Sequence, residues 1–163
     1  ENLDYYNENP VIMKRVMAIL AVVAAIAAVS SCDKYDDGRP SKDVRSEFNS
    51  MYPDAWDVEW EFNGIYWEVD FETGSRPNGI EHSAWYDKAG NWIQTKTELA
   101  YEAVPQKIKD YLAASEYGSY SLEDYFVDYY QSPSMNFYRF DILMDGREAE
   151  VDVAEDGKVA LAR

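Results

Sequence analysis

Cysteine is almost missing from this chain: of 163 residues only Cys32 is one, so no internal disulfide can form and a packed core has to hold the fold. Histidine is equally scarce, with His82 alone. Positive charge is short as well, 15 Lys and Arg against 31 Asp and Glu, for a formal net charge of −16. A field of that sign repels phosphate backbones and anionic lipid surfaces, which excludes nucleic acid and favours basic proteins, basic peptides or cations. No G-x-S-x-G, H-E-x-x-H, P-loop or C-x-x-C motif occurs, so no catalytic residue and no cofactor is assigned. High acidity can also signal disorder, but 5 Trp, 14 Tyr and 6 Phe argue for a buried core.

One long hydrophobic run is present, and it lies early. Met13-Lys14-Arg15 is a short positive segment, followed by the apolar stretch from Val16 to Val29 and then Ser30-Ser31-Cys32. That order is expected of a secretory leader, residues 13–31, and small residues ahead of a lone cysteine resemble a bacterial lipobox, with Cys32 carrying lipid. Residues 1–12 precede the plausible initiator Met13 and read as an over-extended start. Removing the leader with its upstream residues takes away Lys14, Arg15, Glu1, Asp4 and Glu8 and leaves the net charge at −15. Residues 32–40 read as an acidic, turn-rich tether, and Lys34-Tyr35-Asp36-Asp37 is similar to signals that send some Gram-negative lipoproteins to the cell surface. The expectation is an outer-membrane lipoprotein of the cell envelope, periplasmic or surface-exposed, touching the membrane only through the lipid on Cys32.

Beyond the tether the pattern is that of one compact domain, residues 41–163. Ser41 suits an N-cap, Val44, Phe48, Met51 and Tyr52 recur at helical spacing, and Pro53 stops the helix. Asp57 to Glu72 then alternates cleanly around Asn63-Gly64, a hairpin signal. A two-residue loop there would set Trp60 opposite Trp67 and Val58 opposite Val69. On the other face it would set Glu59 opposite Glu68, Asp57 opposite Asp70 and Tyr66 opposite Glu61. Trp56, Trp60, Trp67 and Phe71 would share the buried face. A polar loop from Thr73 to Glu81 leads to a second hairpin, Ala84 to Leu99, turning at Asp87 to Asn91.

The order then repeats. Pro105, Ile108, Tyr111 and Leu112 mark a second helix, followed by strands over residues 120–130, 136–144, 147–153 and 159–161. Trp67-x-Val69-x-Phe71 lines up with Tyr138-x-Phe140-x-Ile142, and Asp87 to Gly90 with Glu155 to Gly157. The fold class is therefore α+β: a tandem pair of helix-plus-four-stranded antiparallel sheet units, halves about 41–99 and 100–163.

Met51-Tyr52-Pro53, Val58-Glu59-Trp60-Glu61, Trp85-Tyr86-Asp87 with Gly90-Asn91-Trp92, Val104-Pro105 and Ala149-Glu150-Val151-Asp152-Val153 occur in an order that resembles the PepSY-like family of exported bacterial proteins. The resemblance covers about residues 42–163 and implies a fold like that of the β-lactamase inhibitor proteins, with no catalytic motif to carry over. In those inhibitors the exposed sheet face is the protein-binding surface, and fold alone does not carry that activity here.

With Asp145-Gly146 as a two-residue turn, Phe140 meets Val151 and Tyr138 meets Val153 on a buried face, while Asp141 meets Glu150 and Arg139 meets Asp152 on the other. The candidate binding face is thus Asp57, Glu59, Glu61, Tyr66, Glu68, Asp70, Arg139, Asp141, Glu150 and Asp152, acidic and suited to a basic protein or peptide on a monomeric, non-enzymatic module of inhibitor type. An outward sheet face must be polar anyway, so solvation explains much of the same pattern. An alternative is a weak Ca²⁺-binding surface lipoprotein, since carboxylates are hard oxygen ligands. Residues 152–157 have EF-hand-like offsets, but Ala154 and Arg163 fill ligand positions. A third reading is a carboxylate-based carbohydrate hydrolase on Glu59 and Glu68, which directly opposed would stand about 5 Å apart. His82 is expected to be a solvated loop residue.

Overall fold

The computed structural model describes residues 39–162. Residues 1–12, the leader, Cys32 and the tether as far as residue 38 lie outside the described residues. The first helix, α1 (Lys42–Met51), starts where expected: Ser41 Oγ accepts from the Val44 N–H at 3.3 Å, and Asp43 complements the helix dipole. Tyr52 closes it by donating its backbone N–H to the Phe48 carbonyl at 2.9 Å, and Pro53 follows. The second helix, α2 (Gln106–Ala114), has Pro105 at its N-cap and buries Ile108 and Leu112, one turn apart. Among the described residues no helix is long and apolar enough to cross a membrane.

The strands are β1 (Trp56–Phe62), β2 (Tyr66–Thr73), β3 (Ile80–Asp87), β4 (Trp92–Ala100), β5 (Ser121–Leu122), β6 (Phe126–Gln131), β7 (Phe137–Met144), β8 (Arg147–Ala154) and β9 (Val159–Leu161). They form one antiparallel sheet in the order β1-β2-β3-β4-β6-β7-β8-β9, with β5 paired to β7. The stretch expected as a single strand over 120–130 is split in two. Between its parts the Glu123 N–H donates to the Asp141 carbonyl, and Asp124 Oδ1 accepts from the Phe126 N–H.

Directly paired residues of a sheet share a face, so register shows where the helices sit. Val69 pairs with Ala84, Ala84 with Thr95, and Leu99 with Val127. These residues lie under α1 in the first half and α2 in the second, so both helices cover the same side of one continuous sheet. The first core gathers Val44, Phe48, Trp67, Val69, Phe71, Ala84 and Tyr86. Phe48 is its hub: its ring lies 5.0 Å from Phe71, 5.3 Å from Trp60 and 5.6 Å from Tyr52. The second core gathers Val104, Ile108, Leu112, Val127, Tyr138, Phe140, Ile142, Val151 and Val153.

The repeat is visible in detail. Trp67, Val69 and Phe71 occupy in β2 the place of Tyr138, Phe140 and Ile142 in β7. Each half also folds its last hairpin turn back onto its helix. A Cβ at Gly90 (φ +95°) would stand 3.1 Å from the backbone of Asp43 and Val44, and one at Gly157 (φ +96°) would stand 3.0 Å from the Tyr111 ring.

Two hairpins that read alike in sequence differ in structure. At Asp145-Gly146 both residues are left-handed, φ 51° and 77°, and Met144 pairs with Arg147 as a two-residue turn requires. At Asn63-Gly64 only Gly64 has positive φ. Asn63 Oδ1 instead accepts from the Ile65 and Tyr66 N–H groups at 3.1 and 3.0 Å, which closes a wider loop. The register therefore moves by two: Phe62 pairs with Trp67, Trp60 with Val69, Glu61 with Glu68 and Glu59 with Asp70. A shift of two keeps every side chain on its face, but Ile65 is left exposed in the loop.

A bulge between Trp56 and Glu59, with Asp57 at φ 52°, corrects a further expectation. Trp56 pairs with Glu72 and so lies on the face opposite the core, with the Arg76 guanidinium 4.7 Å over its ring. Gly79 packs against Trp56 and Glu72 so closely that a Cβ would collide with both. A bulge on an edge strand also interrupts its free hydrogen-bonding edge, which discourages pairing with other chains.

Between the two cores β4 contributes buried Thr95 and Thr97. Thr95 Oγ1 bonds Tyr52 OH at 2.6 Å and accepts from Trp92 Nε1 at 2.9 Å. Thr97 Oγ1 meets His82 Nδ1 at 2.9 Å, and His82 Nε2 meets Thr73 Oγ1 at 2.8 Å. His82 is thus a half-buried strand residue stacked on Phe71, not a solvated loop histidine, and burial lowers its pKa. Replacing Phe48 with Ala is expected to remove about 3–5 kcal/mol of stability, read by denaturant unfolding, because the rings around it cannot close over the space.

Candidate functional site

With both helices on one side, no described helix covers the other side of the sheet from β1 to β8. The register sets its rows. One runs Glu59, Asp70, Ser83, Lys96, Tyr130, Phe137 and Ala154 across seven strands. Glu61, Glu68, Trp85 and Gln94 lie on one side of it. Glu98, Asp128, Arg139 and Asp152 lie on the other.

Nine of the ten residues singled out in the sequence lie in register on the side of the sheet away from the helices, and Asp57 sits in the bulge. Arg139 faces Asp152 and Asp141 faces Glu150, as expected. Glu59, Glu61, Glu68 and Asp70 share the face with different partners: Glu59 stands opposite Asp70, not Glu68, and Glu61 opposite Glu68, not Tyr66. Tyr66 is paired with Asp87. Asp57 falls in the bulge and does not oppose Asp70. The opposed Glu59–Glu68 pair on which the hydrolase reading rested is therefore absent.

The two halves of the face differ in electrostatics. In the second, Arg139 is held by its neighbours: Nε donates to Asp152 Oδ1 at 2.7 Å, Nη2 to Asp152 Oδ2 at 3.0 Å, and Nη1 lies 3.3 Å from Glu150 Oε2. The bond to Asp152 raises the already high guanidinium pKa further. Arg139 also lies 5.1 Å from the Tyr130 ring and 5.6 Å from the Phe137 ring, which stack on each other at 4.8 Å and 10°. Burial, with Asp128 next, pushes the Tyr130 phenol up to about 12.

In the first half like charges face each other. Burial raises the Glu68 pKa, the Trp85 indole directed at the carboxylate offsets part of this, and Asp70 and Glu61 raise it again. Glu98 is raised by burial and then by Glu81 and Asp128. Asp128 is raised by burial, against the pull of Lys96, whose Nζ stands 3.9 Å away. The sheet spaces these carboxylates side by side rather than around a point, and among the described residues no three Asp, Glu, His or Cys side chains could jointly hold a metal ion. Residues 152–154 end β8, and residues 155–158 make the turn to β9.

Reading from sequence missed Trp85, Lys96, Asp128, Tyr130 and Phe137, which form the middle of the face. Alternation alone could have placed Trp85, since Ala84 and Tyr86 on either side of it are fully buried. Tyr130 and Phe137 depend on the pairing of β4 with β6, for which no local signal exists.

A one-sided antiparallel sheet made of two helix-plus-sheet repeats, with no described helix on its far side, defines a class of α+β scaffold. Residues 65–160 match the model of the family described as "Putative beta-lactamase-inhibitor-like, PepSY-like", and the chain belongs to that PepSY-like family. Solved structures share the fold. A BLIP-like protein from Bacteroides fragilis is 22% identical, with 78% of this chain and 86% of that one covered at a TM-score of 0.63. A DUF2874 family protein from Bacteroides uniformis is 24% identical, with 76% and 88% covered at 0.63. A protein from Bacteroides eggerthii described among "putative periplasmic proteins" is 20% identical, with 77% and 89% covered at 0.63. No curated protein matches the chain.

Two consequences are measurable. Arg139→Met leaves Asp152 and Glu150 side by side on β8 without their cation and is expected to cost about 1–2 kcal/mol in thermal or denaturant unfolding. Glu98 has a folded-state pKa above its ordinary 4.5, so its protonation favours folding. That contribution is complete below 4.5 and is lost as pH rises through the raised value. Glu98→Gln should therefore melt higher than the parent at pH 8, with the difference vanishing below about pH 4.5.

Proposed function

We propose that this chain is an exported, lipid-anchored binding module of the cell envelope, an inhibitor-type protein and not an enzyme, whose open sheet face docks a basic protein or peptide. The observation that carries this reading is the uncovered face itself: β1 to β8 expose one continuous surface on which carboxylates far outnumber Lys96 and Arg139. Half-buried Trp85, Tyr130 and Phe137 give that surface the aromatic centre that protein interfaces favour. The leader with Cys32 supports export and lipidation, with the protein on the outer membrane at its periplasmic or outer side. The family's description and that of the Bacteroides eggerthii relative are consistent with an envelope protein of inhibitor-like build.

The test uses the mature chain as bait in envelope extract, beside a Trp85→Ala/Tyr130→Ala variant. The expected outcome is a partner that is released by salt and is missing from the variant's eluate. Recovery of the same proteins by both baits, or of none by either, would count against the reading. In the producing cell, Cys32→Ser should move the protein from the membrane to the soluble fraction.

A further inference from the structure

We infer that the docking footprint is the half of the open face built by β1, β2 and β3, and that it receives the arginine and lysine side chains of a basic polypeptide seated beside Trp85. This rests on reading the open face as a binding surface. Charge complementarity selects both the half and the occupant. In the second half the like-charge pairs, Asp141 with Glu150 and Glu98 with Asp128, each have a cation on one member: Arg139 engages Glu150 as well as Asp152, and Lys96 turns from β4 toward Asp128. In the first half Glu61 opposes Glu68 and Glu59 opposes Asp70, and no described Lys or Arg lies within ion-pair distance of any of the four.

Like charges placed directly opposite each other weaken a sheet, and a strand face needs only polar residues, not paired carboxylates, to meet water. A folded chain that retains two such pairs in adjacent rows carries a standing repulsion that a docked cation removes. Burial is the first cause of the raised Glu68 pKa and the Trp85 indole offsets part of it; Asp70 and Glu61 add to the rise, against a smaller pull from Lys96. Trp85 pairs with Glu68 and is itself half-buried, so it offers a flat aromatic surface next to the carboxylates. That is a setting in which guanidinium binds by stacking and ion pairing together.

Titration calorimetry of the mature protein with an oligoarginine peptide at low salt tests this, using two double variants that remove the same net charge. Glu61→Gln/Asp70→Asn breaks both like-charge pairs; it should raise the melting temperature by about 1–3 °C while weakening peptide binding about tenfold or more. Glu150→Gln/Asp152→Asn strips Arg139 of its partners; it should lower the melting temperature and leave peptide affinity within about twofold of the parent. Equal weakening by the two variants would overturn the footprint while leaving the open face as the binding surface. A Glu61→Gln/Asp70→Asn protein that is more stable but binds as before would overturn the role of the paired carboxylates, as would a parent protein that binds no peptide. Neither result alters the extract experiment on Trp85 and Tyr130, which tests the binding surface independently.

Discussion

The ladder between β4 and β6 is the contact on which the architecture depends. Its six register pairs, from Thr95 with Gln131 to Ala100 with Phe126, join the two repeats into one sheet. Because a strand alternates its faces residue by residue, that pairing also decides which way each repeat faces. A slip of one residue would turn the second half over, carrying α2 to the far side with the core it covers and bringing Arg139 and Asp152 round to the side of α1. In the observed register both helices fall on one side, both cores lie beneath them, and the opposite side is left open as a single surface. The polar seam of Thr95, Thr97, His82 and Tyr52 lies where the two cores meet, and its side-chain bonds satisfy polar groups that burial would otherwise penalise.

The two repeats use one plan for unlike surfaces. Beneath the helices they agree closely, down to the glycine turn that each folds against its own helix. On the open side they diverge. The second half sets Arg139 among its carboxylates, with stacked Tyr130 and Phe137 holding the guanidinium from one side and Asp152 fixing it with two bonds. The first half keeps its carboxylates in facing pairs beside Trp85. Core residues of a repeat are held alike by packing, whereas surface residues are free to vary, so a functional difference between the halves is expected on the open side.

Much of the fold was legible because its signals are local. Ser41, Pro53 and Pro105 mark helix ends by capping chemistry or a missing donor, and strict alternation identified β2, β7 and β8 with their buried faces. Asp145-Gly146 predicted its turn and all the pairs that follow from it. The same logic failed at Asn63-Gly64, because the Asn63 side chain accepts two backbone N–H groups and settles a wider loop. It failed again at Trp56, where a bulge reverses a side chain that periodicity places in the core.

By itself, then, the sequence determined the two helix-plus-sheet repeats, the apolar face of each strand and the acidic character of the other face, since all of these follow from side-chain periodicity and charge along a short stretch of chain. Only the tertiary structure decided which carboxylates face which, that Trp85, Tyr130 and Phe137 share the open surface with Lys96 and Arg139, and that His82 is tied between two threonines. Those outcomes depend on register across strands distant in the chain, and register is set jointly by turns, bulges and the packing of both helices rather than by any one segment.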